Sequence, residues 1–177
     1  MTMPLRRAAL VASLALLALV APSPASAVEV AARLGLSAPT GEGLDLGPTA
    51  GLSVSVPLRG RLSLLAAGDF STHRVAGQPG LPIDSMTAVL GVEASIDLAP
   101  IVPVLAVGPA FQHAWRRSGS ESVDAFGGFL AIGVRATLFE HLRLGLQARY
   151  LTSAFSSNTF PAFVTFVLEL GWTSGEL

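Results

Sequence analysis

Residues 143–150, Arg143-Leu144-Gly145-Leu146-Gln147-Ala148-Arg149-Tyr150, carry Arg, Gly, Gln and Arg at odd positions and Leu, Leu, Ala and Tyr at even ones. A helix would scatter the two sets around its circumference, whereas a strand places them on opposite faces. The same period-two alternation recurs at 28–37, 49–58, 61–71, 86–97, 125–138 and 162–173. In 28–37, Val28, Val30, Ala32, Leu34 and Leu36 oppose Glu29, Arg33 and Ser37. In 86–97, Ala88, Leu90, Val92, Ala94 and Ile96 oppose Thr87, Gly91, Glu93, Ser95 and Asp97. Segment 102–115 completes a set of eight strands. Its Pro103 and Pro109 each remove a ladder donor, which predicts a bulge or an interruption there.

The connections add a second constraint. Those at 57–60, 98–101 and 139–142 are tight, whereas 38–48, 72–85, 116–122 and 152–161 are longer and rich in Gly, Pro, Ser and Asn. Long and short alternate along the chain, and an even strand count puts both ends on the short-turn side. That layout belongs to membrane barrels with short inner turns and longer outer loops.

Composition bears on where such a chain resides. Residues 8–21 form an apolar run too short to cross a bilayer as a helix. Arg6 and Arg7 precede it, and Ala25-Ser26-Ala27 follows a Pro22-Ser23-Pro24 break. These are the three parts of a secretory signal peptide, predicting a leader at 1–27, cleavage between Ala27 and Val28, and a mature domain at 28–177. Losing Arg6 and Arg7 leaves a formal charge of about −3, close to neutral. Only 13% of residues are charged, 51% are hydrophobic, and all the basic residues are arginine. There is no basic footprint for nucleic acid. With no cysteine, disulfides, thiol catalysis and thiolate metal sites are excluded.

Each strand has one face without ionised groups. The other faces gather Glu29, Arg33, Arg61, Asp69, Glu93, Asp97, Arg135, Arg143, Arg149 and Glu169. The acids and arginines in this set balance, as charges packed into a narrow lumen must in order to offset desolvation. Alternation alone does not distinguish this arrangement from a soluble barrel with its apolar face inside. The export signal, the lack of lysine and the sparse charge favour the membrane version. The fold expected is an all-β, eight-stranded, antiparallel, up-and-down transmembrane barrel.

In its leader, strand count, turn rhythm and charged lumen, the chain resembles the small bacterial outer-membrane β-barrels of the OmpA/OmpX type, over essentially 28–173. The resemblance implies an outer-membrane location in a Gram-negative envelope and contact with outer-membrane lipid and lipopolysaccharide. It also implies insertion by the barrel-assembly machinery. Such barrels usually end on an aromatic residue, and here residues 173–177 continue past Trp172.

Some small barrels are lipid A-modifying acyl hydrolases, which need a serine beside an oriented histidine. His73 follows Ser71 and Thr72, His113 has Ser118 and Glu121 near it, and His141 sits in a tight turn. No histidine is followed two residues later by serine, the spacing of that family. The histidines read as loop and rim residues in water, too scattered to suggest zinc. Acidic loop residues Glu42, Asp45, Asp84, Glu121 and Asp124 read as solvating groups. No catalytic, cofactor or metal residue is indicated. The expected function is non-enzymatic: a largely plugged barrel displaying four loops for structural or interaction roles. A lipid A acyl hydrolase and a narrow pore for small solutes are the alternatives.

Overall fold

The computed structural model describes residues 28–41, 43–75, 78–98, 100–117, 122–153 and 161–174. Its strands are β1 (Glu29–Pro39), β2 (Gly47–Pro57), β3 (Leu62–Val75), β4 (Gln78–Ser95), β5 (Ile101–Arg116), β6 (Ser122–Phe139), β7 (Leu142–Ser153) and β8 (Phe163–Thr173). Each pairs antiparallel with its sequence neighbours, and β8 pairs with β1, so the barrel closes with no free edge. The leader at 1–27, including Ala27 of the cleavage site, lies outside the described residues.

The registers fix the barrel's shape. Starting from Glu29 and stepping strand to strand through Ser55, Leu65, Gly91, Gly108, Phe129, Leu151 and Phe163, the path returns to β1 at Pro39. A stagger of that size means strands inclined by about 35–45° to the barrel axis.

The faces are reversed relative to a soluble barrel. Glu29, Arg33, Asp69, Glu93, Arg135, Arg149 and Glu169 are buried inside. Leu34, Leu52, Leu90, Leu105, Ile132, Leu146 and Leu168 stand exposed outside. On described outward strand positions, the acidic and arginine side chains are Arg74, Asp84 and Asp124, all at the long-loop rim. An exterior this apolar suits lipid, where a mid-depth arginine would cost about 2–4 kcal/mol.

Two expectations need correction. The stretch 72–85 is not a long loop: β3 and β4 continue through it and are joined at residues 76–77. A register shift at Arg74/Val75 skips residues 79–81, which absorbs Pro79 and Gly80 and lets the hairpin extend. Strand β5 also runs without a bulge. Its ladder to β6 includes Pro103 and Pro109. Toward β4 it skips Leu90 and Gly91 while keeping register, so the gap left by Pro109 falls on that side.

Candidate functional site in the lumen and its outer mouth

Arg33 on β1 and Asp69 on β3 are separated by β2. The registers set Arg33 against Gly51 and Gly51 against Asp69, so one row crosses all three strands. A Cβ at Gly51 would overlap the Asp69 carboxylate. The missing side chain is the gap through which Arg33 Nη1 reaches Asp69 Oδ2 at 3.1 Å. Gly145 lies in the same way between Arg135 and Glu169, and a Cβ there would stand 3.2 Å from Arg135 Cγ and from Glu169 Oε2.

These pairs join into one chain. Arg149 Nη1 is 2.6 Å from Asp69 Oδ2, Asp69 holds Arg33, and Arg33 Nε is 3.1 Å from Glu169 Oε1. Glu169 Oε2 is 3.5 Å from Arg135 Nε, and Arg135 grips both Glu93 oxygens, at 2.5 and 2.7 Å. Arg135 also faces Glu29, which accepts from Arg143 Nη1 at 2.7 Å. Gln147 Oε1 accepts from Arg33 Nη2 at 3.1 Å and from Arg149 Nη2 at 3.2 Å. Arg33, Arg135, Arg143 and Arg149 therefore balance Glu29, Asp69, Glu93 and Glu169. Neutrality matters because Arg33 and Arg149 are each only 1% exposed and an uncompensated buried charge is expensive.

Arg61 and Asp97 do not join this chain, contrary to the expectation from face parity. Both are exposed, Arg61 in the turn before β3 and Asp97 beyond the end of β4. Among the described residues neither makes an ion pair. Asp97 instead borders a cavity of about 140 Å³ at the short-turn end, together with Glu29, Glu93, Arg135 and Arg143.

The lumen is also less uniformly polar than its charges suggest. Leu65, Ala67, Val89, Ala106, Ala110, Phe129, Ala131, Leu151 and Phe163 form one buried apolar cluster. Phe129 lies over Gly91, and the Arg149 guanidinium carbon is 5.4 Å from its ring centre, which seams the two regions together.

The histidines have three different settings. His73 is not in water: it is 1% exposed and faces inward at the outer mouth. His141 lies in the β6–β7 turn, its ring 5.4 Å from Trp172. His113 faces outward at the long-loop rim, with Nδ1 2.6 Å from Asp124 Oδ1. Two residues on and facing the same side, the Trp115 ring lies tilted against His113, ring centres 5.3 Å apart. Ser118 and Glu121 lie outside the described residues. Asp84 is buried rather than solvated, held by Arg117 at 2.8 and 2.9 Å and by Thr72 Oγ1 at 2.9 Å. In turn the Asp84 carboxylate raises the pKa of Arg117, which lies beyond the end of β5. No group of three metal-ligating side chains occurs among the described residues.

Solved structures share this fold. The neisserial surface protein NspA matches with a TM-score of 0.62 at 14% identity, covering 83% of this chain and 96% of its own. OprG from Pseudomonas aeruginosa matches with a TM-score of 0.63 at 12% identity, covering 87% and 98%. The N-terminal barrel of OprF from the same species gives 0.55 at 11% identity, covering 82% and 96%. The fold is that of the small outer-membrane barrels of the OmpA/OmpX type. Identities this low speak for the fold alone. No family model and no curated protein matches the sequence.

Proposed function

We propose that the chain resides in the outer membrane as a non-enzymatic barrel, its lumen closed to ions and its outer connections serving structural or interaction roles. The observation that carries this reading is the unbroken, neutral ion-pair chain from Arg149 to Arg143. Eight strands enclose only enough room for side chains, and this chain crosses the lumen above the short-turn cavity. The apolar exterior suits a lipid surround, with lipopolysaccharide on the long-loop side. Export is assigned to the leader at 1–27, removed between Ala27 and Val28, and insertion to the barrel-assembly machinery.

Two measurements test the proposal. The mature protein should fractionate with the outer membrane, be released only by detergent, and begin at Val28 on N-terminal sequencing. In planar bilayers the refolded wild type should be silent, while the double variant Arg33→Ala/Glu169→Ala, which empties the middle of the chain, should conduct. Steady wild-type conductance overturns the closed-lumen reading in favour of a narrow pore.

A further inference from the structure

We infer that the outer mouth holds a binding site for a small neutral aromatic molecule carrying one hydrogen-bond donor, a phenol or an aryl alcohol. A cavity of about 230 Å³ lies there, walled by Leu44, Ile83, Ala114, Val123, Pro161 and Phe163. An engineered apolar cavity of about 150 Å³ holds benzene, so this one suits one or two fused rings.

The polar component is His73, which lines the same cavity. Its Nδ1 is 3.1 Å from the Asp45 carbonyl oxygen. A carbonyl only accepts, so Nδ1 carries the hydrogen, and in the neutral ring Nε2 is left as an acceptor. That Nε2 is buried without a hydrogen-bond partner. Leaving such an atom unpaired is costly, and the apolar walls give a water few further partners. A ligand O–H or N–H supplies the missing donor, whereas a carboxylate would bring a second acceptor.

The site is also built rather than incidental. His73 is held against Phe163, ring centres 5.2 Å apart. Leu44 bridges to Val75, and the Asp45 N–H donates to the Arg74 carbonyl at 2.8 Å, so the β1–β2 connection is pinned to the outer end of β3. The residue that pins this connection thus also sets the tautomer of His73. Trp115 and Arg116 also border the cavity, and the Phe163 ring in its wall favours an aromatic occupant.

This inference goes beyond the closed-lumen reading and does not require it. The test uses the full mature chain refolded in detergent micelles, with 2-naphthol as a fluorescent probe. The comparison probe is 2-methoxynaphthalene, which keeps the rings but has no donor. Wild type should bind 2-naphthol saturably, one per barrel, and about tenfold more tightly than the methyl ether, the worth of one hydrogen bond. Ala114→Leu, which fills the cavity, should abolish saturable binding, and Val123→Phe should do so from β6. His73→Phe keeps a ring against Phe163 but should remove the preference for the naphthol. Folding of each variant is checked by its heat-dependent gel shift. Uptake no greater than that of empty micelles, equal wild-type affinity for the two probes, or binding that survives both filling variants would overturn the assignment.

Discussion

From Asp69 and Arg149 toward the short-turn end, the lumen is charged and crossed by ion pairs, and it ends in a charge-lined cavity of about 140 Å³. Toward the long-loop end its polar inward positions are neutral, among them Ser37, Thr49, Ser71, Thr87, Gln112 and Thr165, interleaved with Ala110, Leu151 and Phe163, and then it opens into the cavity beside His73. The polar contacts differ in kind. In the inner half they are charge-assisted, and two of them pass between non-adjacent strands through the gaps at Gly51 and Gly145. In the outer half they are short hydroxyl bonds between neighbours, such as Ser71 Oγ to Thr49 Oγ1 at 2.9 Å and Thr165 Oγ1 to Ser37 Oγ at 3.3 Å. A one-residue slip of a charge-bearing strand would turn its charges into lipid, and the inner half also opposes a two-residue slip, because Arg33 meets Asp69 and Arg135 meets Glu169 across particular glycines. With register held there, the outer half is free to leave a cavity.

The largest effect is expected at Glu169, which connects the Arg33 and Arg135 ends of the chain. Glu169→Ala should destabilise the folded barrel by about 3–5 kcal/mol, the range for breaking a buried ion pair by removing one partner. Glu169→Gln keeps the size and some hydrogen bonding, so a loss of about 1–3 kcal/mol is expected. Urea unfolding in lipid vesicles measures both. A full loss at Glu169→Ala with none at Glu169→Gln would assign the effect to volume and remove charge pairing as the distinction between the two halves.

Next comes the gap itself. Valine in an ordinary strand position is favourable by up to about 1 kcal/mol relative to poor strand formers. At Gly68, which faces outward with only the Thr87 carbonyl oxygen near, at 3.9 Å, Gly68→Val should be neutral or stabilising. Gly51→Val should have the opposite sign and cost about 1–3 kcal/mol through overpacking, with further loss as Arg33 and Asp69 are pushed apart. The same unfolding assay reads the signs directly. A stabilising Gly51→Val would show that the row across β1, β2 and β3 does not depend on glycine.

Strand number and face were legible in the sequence because lipid on one side and a narrow lumen on the other enforce strict alternation. Register was not legible, and most of what the structure adds depends on it. Arg61 and Asp97 have the right parity for the lumen, but parity does not reveal where a strand ends. Gly51, Gly145 and Gln147 gave no separate signal, since their roles exist only between strands distant in sequence. His73 looked solvent-exposed because Gly77, Pro79, Gly80 and Pro82 read as loop. A register shift in β4 instead carries the hairpin past them.

The smallest effect is expected at a glutamine of the outer half, and its inner counterpart makes it informative. Gln112 is buried and donates to Thr87 Oγ1 over a long 3.4 Å. Gln112→Leu replaces a weak bond with apolar volume beside Ala110 and Ala114, so its effect should stay within about 0.5–1 kcal/mol in either direction. Gln147 accepts from two arginines, and Gln147→Leu should cost about 1–3 kcal/mol because both guanidinium groups lose an acceptor where water cannot replace it. Equal losses at the two positions would mean that buried polarity is equally demanding along the whole lumen. The contrast would then rest on where the cavity lies and not on how each half is held together.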